Sequence, residues 1–297
     1  MIKIDEFTYE IETKDIKDKF AQRPSDTNKG DYGYVGIMGG SLEYSGAVKL
    51  ANLSASAMRA GCGVVRLIVP KGISTAVAPY LLEQTMFTID DENNKMKFNK
   101  DEIDKALNKL KALAIGMGWG QSKEYEKILE YILQNYDLPL IIDADGLNTL
   151  SEMNMDILKN TKYRVILTPH LKEFERLSKI SLEEIKQNEI ITAKEFARNY
   201  NIILLLKGPT TIVTDGIKVY LIKRGCSGMA TAGSGDVLSG ILVGLLGYNA
   251  PDELTVAAGA YLNGTAGELA QEKYTDISMI ASDTIKCLPE AIKIIRN

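Results

Sequence analysis

Reactive residues are densest in Thr231–Asp236, which reads TAGSGD and directly precedes the apolar run Val237–Leu246. Apolar residues at 238, 241, 242 and 245 repeat with helical spacing, so we expect a helix that begins close to Gly235. Gly233 and Gly235 allow consecutive backbone amides to turn toward one point, and the helix N-terminus adds about half a positive charge. The segment therefore predicts a binding site for a phosphoryl group.

A carboxylate stands at the same helix end. Asp236 could accept a proton from a hydroxyl nucleophile while Gly233, Ser234 and Gly235 stabilise charge on phosphorus. The hexapeptide alone is equally compatible with a simple tight turn, followed by an aspartate that the helix dipole favours. We find neither a dinucleotide fingerprint nor a GxxxxGK[ST] phosphate loop in the chain.

Short apolar runs alternate with helical patterns, which predicts one three-layer α/β/α domain over residues 1–297 with a mostly parallel central sheet. Asp215-Gly216-Ile217 joins the last two predicted strands, so we expect an antiparallel hairpin there, at an edge of the sheet. The predicted strands are Tyr34–Met38, Val64–Val69, Ala112–Ile115, Leu140–Ile142, Val165–Leu167, Ile202–Leu206, Thr211–Thr214 and Lys218–Leu221. The predicted helices are Gly46–Ala60, Lys100–Lys111, Glu124–Asn135, Glu184–Tyr200, Val237–Leu246, Pro251–Glu272 and one after Ser282.

Glycine or polar residues follow five of these strands. Because ligands of such sheets bind beyond the carboxyl ends of the strands, we expect the five segments to meet in one site. They are Gly39-Gly40-Ser41, Gly116-Met117-Gly118, Asp143-Ala144-Asp145, Thr168-Pro169-His170 and Lys207-Gly208.

Composition and charge limit which partners and which cellular compartment we expect for this protein. The net charge of -4 gives no general attraction to nucleic acid or to an anionic membrane, so we expect neither as a partner. The three cysteines lack metal-site spacing, and the start of the chain, rich in Lys, Asp and Glu, does not resemble a signal peptide. The longest apolar stretch is shorter than the roughly 20 residues that span a bilayer. These features predict a cytoplasmic protein.

Several short motifs occur in a specific order from about residue 15 to the end of the chain. Their combination resembles the ADP/ATP-dependent NAD(P)H-hydrate dehydratases, a carbohydrate-kinase-like family of the ribokinase-like superfamily. The motifs are Gly30-Asp31-Tyr32-Gly33, Gly39-Gly40-Ser41, Tyr44-Ser45-Gly46-Ala47, Ile142–Asn148 (similar to DADALN), Leu167–Phe174 (similar to LTPHPGEF), Leu206-Lys207-Gly208, Met229-Ala230-Thr231 and the GxGD anion-hole motif at Gly233–Asp236.

The resemblance implies roles for individual residues. It implies that Ala47, Gly118, His170 and Asp236 contact the hydrated nicotinamide substrate. It also implies that Lys207, Gly208, Pro209, Thr210 and Thr211 line an adenine nucleotide, with Gly235 on the phosphate side. For His170, a structural or solvent-exposed position is the alternative. Lys207 could instead be a solvated lysine at a loop entrance.

The sequence leaves the roles of Asp143, Asp145 and Trp119 undecided. Asp143 and Asp145 could orient water bound to Mg²⁺ or cap the helix that follows, and we favour capping for Asp145. Trp119 could shield the site, although a core position is more common. The chain departs from the family pattern at Leu171-Lys172, where Pro-Gly is usual, and at Ala-Gly-Ser-Gly-Asp, where Gly-Gly-Thr-Gly-Asp is typical.

The expected function is therefore repair of the S-form hydrates of NADH and NADPH, with ADP or ATP as co-substrate and Mg²⁺ as cofactor. We expect ADP to be preferred. The segment before the first glycine-rich loop is too short for an epimerase domain, so we expect dehydratase activity alone, paired in function with a separate epimerase, and a homo-oligomeric assembly. The nearest alternative is a ribokinase-like kinase for a hydroxymethylpyrimidine, a thiazole or a sugar alcohol. A nucleotide-binding protein without catalysis is a third.

Overall fold

A computed structural model describes residues 1–55 and 57–297. The strands are β1 (Ile2–Lys3), β2 (Thr8–Glu10), β3 (Tyr34–Met38), β4 (Val64–Pro70), β5 (Thr85–Ile89), β6 (Asp91–Glu92), β7 (Lys95–Met96), β8 (Ala112–Ile115), β9 (Leu140–Ile142), β10 (Ile166–Leu167), β11 (Ile203–Leu206), β12 (Thr211–Thr214) and β13 (Val219–Ile222). The helices are α1 (Thr13–Ile16), α2 (Ser45–Ala55), α3 (Ala57–Ala60), α4 (Ser74–Val77), α5 (Lys100–Leu107), α6 (Lys123–Asn135), α7 (Asp145–Ser151), α8 (Leu171–Ser178), α9 (Leu182–Gln187), α10 (Glu189–Tyr200), α11 (Ser234–Leu246), α12 (Glu253–Tyr274) and α13 (Ala281–Arg296).

An 11-stranded sheet runs through the molecule in the order β1-β2-β13-β12-β11-β10-β9-β8-β3-β4-β5. From β11 to β5 every neighbouring pair is parallel. Helices cover both faces of the sheet, so the central strands are apolar on both faces. Each face packs into its own hydrophobic core. Along β8, for example, Ala112 and Ala114 pack into one core while Leu113 and Ile115 pack into the other.

The predicted three-layer fold and all eight predicted strands are confirmed, with shifts of one residue at some ends. The hairpin β12–β13 is antiparallel as expected. Its predicted position at the sheet edge is wrong, because β2 from the N-terminal segment pairs in parallel with β13 and β1 continues the sheet beyond it. The sequence patterns do not predict β1, β2 and β5 to β7; of these, all but β5 are only two or three residues long.

Most predicted helices are also confirmed, with three main differences. The predicted helix Lys100–Lys111 ends at Leu107 as α5. Gly46–Ala60 corresponds to α2 and α3, and residue 56 between them lies outside the described part of the chain. Glu184–Tyr200 is two helices, α9 and α10, because Asn188 leaves helical geometry with ψ 43°. Within the described residues, no helix has the length and apolar character needed to cross a membrane.

Parallel order brings the carboxyl ends of β3, β8, β9, β10 and β11 to one edge of the sheet. The pairing continues past β10 and β11 as a bridge between His170 and Lys207. The fold thereby aligns the segments that begin at Gly39, Gly116, Asp143, Thr168 and Lys207, as the sequence predicts.

Candidate active site

The N-terminus of α11 forms the centre of the site. The helix begins at Ser234, within one residue of the predicted start, and Gly233 precedes it with φ 93°, a value that favours glycine. A Cβ atom at Gly233 would also lie 2.3 Å from Leu50 Cδ1 on α2. Nearly all of α11 beyond its first turn is buried, so its positive end is fixed in place and faces the loops at the sheet edge.

Asp236 lies in the first turn of this helix. Burial raises the pKa of its carboxyl to about 7, with a further upward contribution from the charge of Asp143 that Lys207 partly offsets. Among the residues described, none donates a hydrogen bond to this carboxylate. An unpaired carboxylate that titrates near neutral pH is suited to accept a proton from a hydroxyl group.

Lys207 anchors a buried ionic network beside α11. Its Nζ donates to Asp143 Oδ1 at 2.9 Å and lies 3.8 Å from Glu173 Oε2. Ser239 Oγ, one turn beyond Asp236, donates to Asp143 Oδ2 at 2.6 Å. Burial by itself lowers the pKa of Lys207, but the two carboxylates outweigh it, and the pKa is raised. Lys207 is therefore a paired cation, and the alternative of a solvated lysine is wrong.

His170 is the N-cap of α8. Its Nδ1 accepts hydrogen bonds from the backbone N–H groups of Lys172 and Glu173 at 3.1 and 3.3 Å, and Glu173 Oε2 accepts one from the backbone N–H of His170 at 2.8 Å. Partial burial and the charge of Lys207 lower the pKa of His170, which makes it neutral at pH 7. Because Nδ1 accepts, the proton is on Nε2, which lies 3.5 Å from Glu173 Oε1 and can donate to a ligand.

The reciprocal hydrogen bonds between His170 and Glu173 form a capping box at the start of α8, where the chain departs from the usual family motif. Leu171 is the first residue of α8, so the helix begins directly at the position where proline is common. Burial raises the pKa of Glu173, since its attraction to Lys207 only partly offsets the loss of solvation. The sequence gives Glu173 only as part of a motif and does not single out Ser239. Its position three residues after Asp236 on one helix face was the available signal.

A cavity of about 780 Å³ opens between the segment that joins β11 to β12, the loop after β13, α11 and α12. Seven predicted site residues line it: His170, Lys207, Gly208, Pro209, Thr211, Ser234 and Gly235. Asp236, Gly233, Ala47, Gly118 and Thr210 are not part of its wall. The cavity thus joins most residues predicted for the nucleotide to the helix end predicted for its phosphate.

Ala47 and Gly118 form a second group. Gly118 has φ 63°, and a Cβ atom there would lie 2.9 Å from Ala47 Cβ and 2.6 Å from the carbonyl oxygen of Tyr44, so the two predicted residues are direct neighbours. The loop of Gly118 is held to the next one because the backbone N–H of Gly120 donates to Asp145 Oδ2 at 2.9 Å. Asp145 in turn acts electrostatically on Asp236, which connects this group to the centre of the site.

Contacts in the structure decide between the alternatives that the sequence leaves for Asp145 and Trp119. Capping by Asp145 is wrong: Ala144 is the N-cap of α7 and has no side-chain cap, while Asp145 Oδ1 accepts from Asn148 Nδ2 at 3.2 Å. Trp119 is fully buried and stacks on Tyr125 at 4.5 Å between ring centroids, which confirms the core position. In the described part of the chain, no group of three or more His, Cys, Asp or Glu side chains is arranged to hold a metal.

The chain is similar to known proteins over most of its length. Residues 35–290 match the model of a carbohydrate-kinase-like family described as NAD(P)H-hydrate dehydratase. The chain belongs to the NAD(P)H-hydrate dehydratase family. The match includes the predicted site residues from Ala47 to Asp236, while the motif Gly30-Asp31-Tyr32-Gly33 lies before it.

Relatives of this family fall into two kinds. The chain is 32% identical over 280 residues to the ADP-dependent (S)-NAD(P)H-hydrate dehydratase of Cenarchaeum symbiosum, covering 94% of this chain and 95% of the relative. It is 33% identical over 282 residues to the bifunctional NAD(P)H-hydrate repair enzyme of Moorella thermoacetica, covering 93% of this chain and 52% of the relative. The chain thus spans about half the length of the bifunctional relatives.

A solved structure shares the fold throughout. The ADP/ATP-dependent NAD(P)H-hydrate dehydratase of Bacillus subtilis, co-crystallised with ATP and Mg²⁺, superposes with a TM-score of 0.82 at 26% identity and covers 96% of this chain and 97% of its own. The ribokinase-like α/β fold is therefore common to both proteins.

Proposed function

We propose that this protein dehydrates the S-form hydrates of NADH and NADPH, with ADP or ATP as the phosphoryl donor, and so restores the reduced coenzymes. The names of family members with similar length support the reaction. The observation that carries it in this chain is Asp236, a carboxylate with a pKa of about 7 at the positive end of α11. Helix α11 lines the cavity at Ser234 and Gly235 and packs against α2, which carries Ala47.

The chemistry requires a better leaving group than hydroxide. Asp236 takes the proton of the hydroxyl group on the reduced ring, and the oxygen attacks the terminal phosphorus of the nucleotide. The bond from phosphorus to the bridging oxygen breaks, which releases AMP from ADP or ADP from ATP. The phosphate then leaves the ring carbon with the bonding electrons. The lone pair of the ring nitrogen assists this step, and loss of a proton from the adjacent carbon restores the double bond of NAD(P)H.

The remaining residues bind and orient the reactants. The amides at Gly233, Ser234 and Gly235 stabilise charge on the transferred phosphoryl group. The stretch Lys207 to Thr211, of which all but Thr210 line the cavity, binds the nucleotide. The neutral His170 donates from Nε2 to the substrate, and the small residues Ala47 and Gly118 leave room for the ring.

Mg²⁺ fits this proposal as an ion carried by the nucleotide. Both carboxylate oxygens of Asp143 already accept hydrogen bonds, from Lys207 and Ser239, and the described residues offer no cluster of three ligands. Magnesium is commonly held by phosphate oxygens, water and one or two carboxylates. When bound, it would neutralise phosphate charge, and we assign none of the residues here as its ligand.

One assay tests the reaction. The protein is mixed with NADH hydrate, Mg²⁺ and either ADP or ATP, and the absorbance of reduced nicotinamide is followed. We expect the absorbance to return, faster with ADP, with one phosphate released per NADH. A stable phosphorylated product, or nucleotide binding without any turnover, would contradict the proposal and favour a kinase or a binding protein.

The stereochemical scope is tested in the same assay. We propose that these 297 residues act on the S form alone and depend on an epimerase for the R form. With the separated R form we expect no recovery of absorbance until an epimerase is added. Recovery by the purified chain alone would contradict this part of the proposal. The expected homo-oligomer stays a prediction for light scattering.

A further inference from the structure

Two residues that line the 780 Å³ cavity each carry a buried polar atom without a partner among the residues described. Ser234 Oγ and Asn263 Oδ1 have no hydrogen-bond partner among the residues described, and both residues line the cavity. An unpaired buried polar group costs free energy, so it is retained where a ligand completes it. Ser234 belongs to the N-terminus of α11, where the phosphate is expected. Asn263 lies on α12 and has no role in the proposed reaction.

The surroundings of Asn263 suit a flat ring. Ala260, Asn263 and Gly264 share one face of α12 because they are three and four residues apart. Together with Leu238, Met229 and Pro209 they give this part of the cavity a largely apolar wall. Leu238 stands one helical turn inward from Ser234, so the apolar part begins beside the phosphate end. Binding sites for small ligands have this composition, an apolar wall with few polar groups that fix orientation.

Asn263 is the polar group in that wall with hydrogen-bonding capacity to spare. Its side chain is 7% exposed, and rotation about the last side-chain bond can present either amide atom to the cavity. A carboxamide matches adenine because it can accept from the 6-amino group and donate to a neighbouring ring nitrogen. Arg224, which also lines the cavity, is already paired with Glu268 at 2.8 Å.

We propose that Asn263 recognises the base of the nucleotide by accepting a hydrogen bond from the 6-amino group of adenine. The inference rests on the proposed function, since it assumes that the cavity takes the adenine nucleotide. It adds a specificity-determining residue that acts on binding and leaves the phosphoryl chemistry to α11.

The test measures binding in the absence of hydrated coenzyme. Affinities for ADP and for purine riboside 5′-diphosphate, which is ADP without the 6-amino group, are compared in the wild-type protein and in Asn263→Leu. We expect the wild type to prefer ADP. Asn263→Leu should weaken ADP by roughly three- to thirtyfold and leave the analogue almost unchanged. The Tm of the ligand-free variant should stay level or rise, because an unpaired buried amide is removed.

Thr265→Val is the matched control. Thr265 is buried on the same helix, donates to the carbonyl oxygen of Tyr261 at 2.9 Å and does not line the cavity. We expect this variant to bind both nucleotides as the wild type does. Equal loss of both ligands in Asn263→Leu, no loss of either, or a wild type that does not distinguish them would overturn the inference.

Failure here is separable from failure of the proposed function. A wild type that binds no adenine nucleotide would overturn both. A wild type that shows the expected preference for ADP but never restores NADH would overturn the proposed reaction and leave the role of Asn263 standing.

Discussion

At Asp236, the burial that makes the carboxylate costly to ionise also makes it a stronger base. A partly buried carboxylate without a hydrogen-bond donor is costly to ionise, and burial together with the charge of Asp143 raises its pKa to about 7. The same environment makes it a base of suitable strength near neutral pH. Lys207 limits the shift, because its charge partly offsets both burial and the repulsion from Asp143.

Replacement of Asp236 by Asn removes the base while keeping the size of the side chain. We expect turnover of NADH hydrate to fall by about 10²- to 10⁴-fold, with the affinity for ADP changed little. Steady-state rates and direct ADP binding measure the two effects. Turnover close to that of the wild type would exclude Asp236 as the base.

The pH dependence follows from the same pKa. The base acts only when ionised, so kcat/KM should rise between pH 5 and 7 and level off above about 8. Rates with NADH hydrate over this range give the profile. A flat profile over this range would show that another group takes the proton.

At the scale of elements, one ionic network ties two strands to the catalytic helix. Asp143 follows β9, Lys207 follows β11 and Ser239 belongs to α11, and the three side chains meet through hydrogen bonds of 2.9 and 2.6 Å. The sheet thereby fixes the orientation of α11 relative to the cavity. Removing one partner of a buried ion pair leaves an uncompensated charge, which destabilises the fold more than removing both partners does.

Lys207→Met should therefore destabilise the ligand-free protein by about 3–5 kcal/mol. The double variant Lys207→Met with Asp143→Asn should recover part of that loss, since the stranded carboxylate is neutralised. Urea denaturation of the two variants measures the free energies of unfolding. If the double variant is less stable than the single one, Asp143 is not the carboxylate that Lys207 compensates.

A second prediction at this scale concerns the start of α11. Gly233→Ala forces a Cβ into a backbone with φ 93° and into Leu50, so we expect a loss of about 1–3 kcal/mol and weaker ADP binding. Gly46→Ala is the matched control, because a Cβ there meets nothing within 4 Å. Thermal unfolding of both variants checks the difference. Equal stability of the two would mean that the turn tolerates a side chain.

For the whole molecule, the raised pKa of Asp236 is a cost to stability. The carboxyl has a pKa of about 3.9 in the unfolded chain and about 7 in the folded protein. Below about pH 3.9 it is protonated in both states, so there the shift costs almost no stability. The penalty grows as pH rises and is complete above pH 7. Activity and stability are therefore opposed at this residue.

Asp236→Asn removes this penalty. At pH 8 we expect the variant to be more stable than the wild type by roughly 2–4 kcal/mol, and at pH 4 the two should be nearly equal. Thermal or urea unfolding at the two pH values measures the difference. A variant that is less stable at pH 8 would mean that the ionised carboxylate is well solvated in the folded protein.

Sequence alone determined the layered fold, the parallel strands and the family, because continuous apolar runs and ordered motifs are local features of the chain. It also located the helix start near Gly235 within one residue. What only tertiary structure decided depends on pairing between distant segments. β2 covers the hairpin from more than 200 residues away, Ser239 and Lys207 meet at Asp143, and Asn263 reaches the cavity from α12. Such contacts follow from how elements pack, and no spacing within a single segment encodes them.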